Sequence, residues 1–153
     1  MRIISGSLKG KTINFVKNLK TRPLKDSVKE NLFNILKHSN FINIKIEKSY
    51  VLDLYSGVGS FGIECISRGA NKVFFIEKDR SAAKILKENL NRLSILEKTK
   101  LFNCDVSEFL KENIKKKFHI FFFDPPFIDK EFLYNLNSIK KNKLFEKDHI
   151  III

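Results

Sequence analysis

The sequence predicts an α/β fold in which a mostly parallel, doubly wound sheet carries helices on both of its faces. Short runs rich in Val, Ile, Leu and Phe alternate with helical patterns at regular spacing along residues 49–153. Carboxylates close several of these runs, with Asp53, Glu77 and Asp124 each following apolar residues. Because parallel strands present their carboxyl ends at one edge of a sheet, this pattern predicts a ligand site along that edge.

The order of elements follows from apolar periodicity and from residues that favour helix ends. We predict a β-hairpin near Arg2–Val16, a helix from about Asp26 to His38, and a loop over residues 40–49 whose alternating isoleucines also fit an edge strand. The strands that follow are Val51–Leu54, Val73–Glu77, Leu101–Cys104 and Phe118–Phe123. The helices are Ser60–Arg68, Ser81–Leu93, Ser107–Ile114 and Lys130–Lys140, and residues 148–153 form a strand-like end.

Length and composition predict one domain without a metal site. The 153 residues suit a single core over residues 49–153, preceded by an N-terminal hairpin and helix over residues 1–48. No apolar run has the length of a membrane span and the N-terminus lacks a signal-peptide core, so we expect a cytoplasmic protein. Cys65 and Cys104 lie in apolar patterns without metal-ligand spacing, which predicts buried free thiols.

The charge of the chain favours a polyanionic partner. The formal net charge is +12, and surface Lys and Arg attract phosphates. Most of the cations are lysines in a chain rich in Asn, Ile and Phe, so coding bias explains part of the excess. The placement is more informative, because no acidic residue precedes Asp26. We therefore predict that Arg2, Lys9 and Lys11 contact RNA.

The motif Asp124-Pro125-Pro126-Phe127 directly follows the most apolar predicted strand. Proline lacks an N–H and fixes φ near −65°, so the backbone is stiff and its carbonyls are available as acceptors. Asp124 and the Pro125 carbonyl together suit the two N–H groups of a planar amino group, with Phe127 stacked on its ring. This chemistry fits methylation of an exocyclic nucleobase nitrogen or an amide nitrogen. A plain loop at the strand end is the alternative.

A glycine-rich turn follows the strand that ends near Asp53. Gly57 and Gly59 permit positive φ and close approach of a ligand, and the next helix presents unpaired N–H groups to an anion. The spacing Gly57-x-Gly59-x-x-Gly62 also matches the dinucleotide fingerprint. Asp53 at the strand end favours instead a ligand with an ammonium group as well as a carboxylate.

Two further carboxylates lie where a nucleoside would bind. Glu77 stands about twenty residues after the first glycine, the distance at which an acidic residue accepts ribose hydroxyls. Asp105 ends the third strand and is suited to accept from an adenine amino group. Carboxylates at such positions also cap helices, although Asp79, Ser81 and Ser107 are available for that role.

Three segments together resemble a known family. The runs 51–64 and 75–80 and the motif at Asp124–Phe127 resemble those of class I S-adenosylmethionine-dependent methyltransferases, with a Rossmann-like fold. The opening Arg2-Ile3-Ile4-Ser5-Gly6, followed by Thr21-Arg22-Pro23 and the helix after it, is similar to the RsmD-type bacterial 16S rRNA guanine-N2 methyltransferases. In that family the chain usually continues into a closing C-terminal hairpin, which we expect to be missing here.

The resemblance implies roles for individual residues. The segment Thr21–Pro23 would close over the methionine end of S-adenosyl-L-methionine, Asp53 and the glycine turn would hold its amino acid part, Glu77 its ribose, and Asp105 would face the adenine. The implied cofactor-binding residues are Arg22, Asp53, Tyr55, Ser56, Gly57, Gly59, Glu77, Lys78, Asp105 and Val106. The implied catalytic residues are Asp124, Pro125, Pro126 and Phe127.

The function expected on these grounds is transfer of a methyl group from S-adenosyl-L-methionine to guanine N2 of 16S rRNA, in naked rRNA or in a small-subunit particle, by a monomer. An N6-adenine or protein-glutamine methyltransferase uses a similar motif and stays open. The sequence contains neither the hydride-transfer site nor the second domain that a nicotinamide-dependent oxidoreductase would need. An inactive RNA-binding relative would leave the acidic edge unexplained.

Overall fold

The computed structural model describes residues 1–15, 25–126 and 131–153. Five strands form one sheet in the order β3-β2-β1-β4-β5, and every pairing is parallel. The strands are β1 (Tyr50–Leu54), β2 (Lys72–Ile76), β3 (Thr99–Phe102), β4 (Phe118–Phe123) and β5 (Phe145–Ile152). The helices are α1 (Asp26–His38), α2 (Ser60–Ser67), α3 (Arg80–Arg92), α4 (Val106–Lys111) and α5 (Phe132–Lys141), with a short 3₁₀ turn at Leu96–Lys98.

Two hydrophobic cores lie on opposite faces of the sheet. In β2, Val73 and Phe75 belong to the core that also contains α1, α2 and α3, whereas Phe74 and Ile76 belong to the core that contains α4 and α5. Successive side chains of a strand point to opposite faces, so both faces of a buried strand are apolar. The predicted doubly wound α/β fold is confirmed, and the sheet is parallel throughout.

The strand order creates a crevice at the carboxyl edge of the sheet. The chain passes from β1 to β2 and β3 on one side, then crosses over so that β4 pairs with the other side of β1. Ligands in open α/β sheets bind outside the carboxyl ends of the strands at this reversal of direction. We call this carboxyl edge between β1 and β4 the rim.

The N-terminal segment forms a shorter hairpin than the predicted one. Arg2 and Thr12 form one antiparallel bridge, flanked by cross-strand bonds from the Ile3 N–H to the Lys11 carbonyl and from the Ile13 N–H to the Met1 carbonyl, each at 2.9 Å. Residues 1–15 contain no extended strand. The buried Glu64 carboxylate accepts the N–H groups of Ile4 at 2.8 Å and Ser5 at 3.0 Å, so α2 also holds this segment.

A buried ion cluster connects that segment to two helices. Lys29 on α1 is fully buried, and its ammonium lies 3.8 Å from Glu64 and donates to the Arg2 carbonyl at 2.7 Å. Burial lowers the pKa of Lys29, while the charges of Glu64 and Asp26 oppose that shift. Arg68 completes the cluster with a 2.8 Å contact to Glu64.

Several boundaries move by a few residues from the predicted ones. The strand predicted to end at Cys104 ends at Phe102, because Asp105 already caps the next helix. Asp79 caps α3, whereas Ser81 and Ser107 cap no helix. Residues 40–49 contain no strand, so the edge-strand alternative is wrong. At the C-terminus the strand-like end is β5, which pairs in parallel with β4.

Candidate active site

The turn after β1 has a backbone that is shaped to approach a ligand. Tyr55, Gly57 and Gly59 all have positive φ, at 62°, 55° and 87°. A side chain on Gly59 would collide with Leu86 at 2.4 Å, whereas the space beside Gly57 is open within 4 Å. A positive φ at a non-glycine residue such as Tyr55 costs about 1–3 kcal/mol. Residues strained in this way are found preferentially at active sites.

Asp53 provides a buried acceptor directly beneath this turn. The residue is 1% exposed, and its Oδ2 accepts the Gly62 N–H at 3.0 Å. Its Oδ1 is also buried and has no hydrogen-bond partner among the described residues. Burial raises the pKa of Asp53 well above its usual range, and the nearby charges of Asp124 and Glu77 add to the shift. A cationic donor such as an ammonium group fits this unsatisfied oxygen.

Glu77 connects the glycine turn to the next helix. Its Oε2 accepts the Gly57 N–H and its Oε1 accepts the Asp79 N–H, each at 2.7 Å. Burial raises the pKa of Glu77 even though both hydrogen bonds act to lower it. Each carboxylate oxygen has further lone pairs, so two hydroxyl groups on neighbouring carbons can be accepted as well.

Asp105 and Lys78 form the outer wall of the same region. Lys78 Nζ lies 3.5 Å from Asp105 Oδ2, and Asp105 caps α4 by accepting the Ser107 N–H at 3.0 Å. Partial burial acts to raise the pKa of Asp105, but the hydrogen bonds from Ser107 and the charge of Lys78 outweigh it and lower that pKa. Val106, the first residue of α4, is buried. Asp105 thus has the capping role that the sequence left open.

Asn103 was not predicted, although it lies at the centre of this wall. Its side-chain amide donates to the Glu77 carbonyl at 2.7 Å and to the Lys78 carbonyl at 3.3 Å. These bonds fix the backbone that carries Glu77. A polar residue directly after a strand was the available signal.

The motif at the end of β4 lies beside the turn at the end of β1. Leu54 pairs with Phe123, so Asp124 and Tyr55 are the next residues on two neighbouring strands. Asp124 and Pro126 are exposed and Pro125 is half-buried. Although Asp124 is exposed as a whole, partial desolvation of its carboxyl group raises its pKa. Phe127 and Arg22 lie outside the described residues.

Tyr55 joins the turn to the helix that follows the Asp-Pro-Pro motif. Its hydroxyl accepts a hydrogen bond from the Asn135 amide at 3.0 Å, and its ring lies 6.3 Å from that of Phe123. Asn135 on α5 is 1% exposed. Asn135 could not be predicted from the sequence, because an Asn inside a helix carries no signal of a distant partner.

The N-terminal cations lie in two different environments. Arg2 Nε is 3.4 Å from Asp26 Oδ2, so its charge is partly compensated. Lys9 and Lys11 are exposed, in the segment that packs along α2. These exposed lysines are available to bind phosphates. Arg2 is less available, because Asp26 compensates part of its charge.

The comparisons agree with this architecture. The model of the family described as conserved hypothetical protein 95 matches residues 1–153. The chain belongs to this family. It is 38% identical over 129 residues to ribosomal RNA small subunit methyltransferase D of Haemophilus influenzae, covering 83% of this chain and 64% of that protein.

Two further comparisons extend over almost the whole chain. The protein of the same name from Buchnera aphidicola is 33% identical over 153 residues, covering 100% of this chain and 74% of that one. A solved Escherichia coli structure described as "Putative methyltransferase yhhF" superposes with a TM-score of 0.85 at 28% identity, covering 99% of this chain and 78% of the other. The expected membership of the RsmD family and the Rossmann-like methyltransferase fold are confirmed.

Residues 1–15, 25–126 and 131–153 contain neither a metal-binding cluster nor a membrane-spanning helix. No group of three or more His, Cys, Asp or Glu residues within them is arranged to hold a metal ion. None of their helices is both long and apolar enough to cross a membrane.

The two cysteines differ in burial. Cys65 is buried, as predicted, whereas Cys104 is only half-buried.

Proposed function

We propose that this protein transfers a methyl group from S-adenosyl-L-methionine to the exocyclic N2 of a guanine in small-subunit rRNA. One observation carries the proposal: β1 and β4 are neighbours, so the buried Asp53, with one unsatisfied carboxylate oxygen, lies close to the Asp124-Pro125 motif at the rim. The curated relatives named as ribosomal RNA small subunit methyltransferases support the substrate class.

The residues on the β1 and β2 side of the rim suit the cofactor. Asp53 Oδ1 accepts the ammonium group of the methionine part, and the residues Tyr55, Ser56, Gly57 and Gly59 surround it. Glu77 accepts the ribose hydroxyls, while Lys78, Asp105 and Val106 border the adenine. Arg22 is proposed to close over the methionine end. When bound, S-adenosyl-L-methionine supplies a methyl group on a sulfonium, which is a good leaving group.

The residues after β4 suit the acceptor amino group. A guanine N2 is a weak nucleophile because its lone pair is delocalised into the ring. Asp124 and the Pro125 carbonyl accept its two N–H bonds, which turns the lone pair towards the methyl group. The raised pKa of Asp124 suits a carboxylate that takes up the proton released after transfer. Pro126 stiffens the motif, and Phe127 stacks on the base.

A single-turnover assay with labelled cofactor and saturating small-subunit rRNA tests the proposal. Asp124→Ala should lower the transfer rate by a factor on the order of 100 or more, because an acceptor that orients the nucleophile is lost. Its affinity for S-adenosyl-L-methionine should stay within a few fold. Asp148→Ala removes an exposed carboxylate from β5 and is the matched control, with the parent rate expected.

The product of the same assay distinguishes the alternatives. Digestion of the labelled RNA should give N2-methylguanosine. Label in N6-methyladenosine, or in glutamine of a ribosomal protein when small-subunit particles replace the rRNA, would replace the guanine assignment with another amino-methyltransferase. A near-parent rate for Asp124→Ala would show that the motif is a turn without a role in transfer.

A further inference from the structure

A phenylalanine stands almost fully in solvent beyond the end of α1. Phe41 is 97% exposed, and its backbone N–H donates to Ser39 Oγ at 3.3 Å. Next to it is an open depression of about 560 Å³ lined by Asn34, Ile35, His38 and Ser39. Amide, imidazole and hydroxyl groups beside an exposed ring offer a stacking face together with donors and acceptors. These groups suit an unpaired nucleobase.

The edge of the sheet on the same side is strongly basic. Parallel strands begin at one edge, and here the residues at or just before the strand starts are lysines. We call this set the basic edge; it consists of Lys48, Lys72, Lys98, Lys115, Lys116 and Lys117. Lys48 lies two residues before Tyr50, where β1 begins, and the loop that contains Phe41 leads into that same start. Glu47, Glu97 and Glu112 lie near these starts and are outnumbered.

One of these lysines is held in place by a ring. Lys116 Nζ lies 3.2 Å from the centroid of the Tyr50 ring, a cation–π contact, and the Tyr50 N–H donates to His119 Nδ1 at 3.2 Å. The contact joins the segment before β4 to the start of β1. Lys116 therefore lies beside the start of β1, and Lys48 precedes that start by two residues.

We propose that the basic edge and Phe41 form a second RNA-binding surface, on the side of the sheet opposite the rim. The lysines contact phosphates and Phe41 stacks on an unpaired base. The charge favours RNA over a protein partner, because lysine is depleted at the centres of protein interfaces. The inference rests on the proposed function in that the substrate is RNA.

The position of this surface has a consequence for the substrate. The five residues of β1 separate it from the rim, a distance of about 16 Å at the usual rise per residue. An RNA that reaches both surfaces must fold or bend around the protein. We therefore expect a structured RNA to bind at both surfaces, whereas a short stem-loop binds at the rim only.

The chain contains no tryptophan, which allows a specific optical test. Phe41→Trp introduces a single reporter, and a folded small-subunit rRNA fragment should quench its emission through stacking. Glu88→Trp is the control, since Glu88 is exposed on α3 and belongs to neither the rim nor the basic edge. Its emission should change little. Equal quenching at both positions, or at neither, would overturn the proposal.

Affinity measurements give an independent test. Phe41→Ala should weaken binding of the folded fragment by roughly 5- to 150-fold, the loss expected for one stacked base, while Phe41→Tyr should retain most of it. Binding of a short stem-loop and of S-adenosyl-L-methionine should not change. Unchanged affinity of Phe41→Ala for the folded fragment would overturn the proposal.

The failure of this inference can be told apart from failure of the proposed function. If RNA quenches the tryptophan emission of Phe41→Trp but no methyl group is transferred to guanine, the second surface is confirmed and the proposed activity is wrong. If single-turnover transfer at saturating RNA is normal and the reporter responds to a ribosomal protein fraction but not to naked RNA, the surface binds protein and the inference is wrong.

Discussion

The Asn135 side chain donates a hydrogen bond to the Tyr55 hydroxyl at 3.0 Å, across 80 residues of sequence. Tyr55 follows β1 directly and Asn135 lies in the first turns of α5, so the bond connects the glycine turn to the helix after the Asp-Pro-Pro motif. The Tyr55 ring also lies near Phe123, the residue before Asp124. One side chain thus contacts the elements on both sides of the proposed methyl-acceptor motif.

Tyr55→Phe should destabilise the protein, because it removes this bond from a fully buried amide. The expected loss in the free energy of unfolding is about 1–3 kcal/mol. Urea denaturation measures it, and the double variant Tyr55→Phe/Asn135→Leu should recover part of the loss since the buried amide is removed as well. A double variant that is less stable than the two single changes combined would contradict this account.

The stability of the cofactor-free protein should fall with rising pH because of Asp53. Its pKa is raised in the folded protein, so the stabilising contribution is complete below the ordinary carboxyl pKa and is lost as the pH rises towards the raised value. Each unit of difference contributes about 1.4 kcal/mol. Urea denaturation at a series of pH values above about 4 should therefore show a flatter profile for Asp53→Asn than for the parent.

The same variant should lose cofactor affinity, because a neutral amide forms a weaker bond with an ammonium group than a carboxylate does. Calorimetric titration with S-adenosyl-L-methionine measures this, with NAD as the comparison ligand. Parent-like affinity of Asp53→Asn for S-adenosyl-L-methionine would remove Asp53 from the proposed site.

Glu77→Gln should weaken binding of S-adenosyl-L-methionine by about 1.5–3 kcal/mol for each charge-assisted hydrogen bond lost. The structure adds a second effect, since Glu77 also accepts the N–H groups of Gly57 and Asp79. The glutamine oxygen can still accept one of these N–H groups, but the NH₂ group then faces the other, so donor meets donor. Some loss of stability is therefore expected too. Glu88→Gln, at an exposed position on α3, is the control and should bind like the parent.

The two members of the buried ion pair should respond unequally to substitution. Glu64→Ala leaves the Lys29 ammonium buried without its main partner and also frees two backbone N–H groups, so the cost should be about 3–5 kcal/mol. Lys29→Met should cost less, because Glu64 keeps Arg68 and methionine fills the space. Chemical denaturation compares them, and a larger loss for Lys29→Met would reverse the assignment.

The N-terminal cations should set part of the salt dependence of RNA binding. Substituting Arg2, Lys9 and Lys11 with glutamine should reduce the slope of log affinity against log salt by up to about 0.9 for each phosphate contact with a duplex, and less for single strands. Since Arg2 is paired with Asp26, we expect the lysines to account for most of the change. A slope equal to that of the parent would show that these side chains are a solvated surface.

The local order of elements could be predicted from the sequence because it depends on short-range patterns. The helix Asp26–His38 and the strand Phe118–Phe123 were predicted at their observed bounds, since apolar periodicity and end signals act within a few residues. The alternation of strands and helices also determined the fold class. The roles proposed for Asp53, Glu77 and Asp124 stay predictions.

The tertiary structure decided which distant residues meet. Asn135 has no local signal and Asn103 has only that of a polar residue after a strand, because their partners are reached only after the sheet assembles and α5 packs on it. Glu64 and Lys29 appear in the sequence as ordinary helical charges, yet folding buries both, and Glu64 holds the N-terminal segment against α2. The sequence by itself determined the elements and their acidic ends; only packing, through burial and long-range hydrogen bonds, decided which of those groups are left without a partner at the rim.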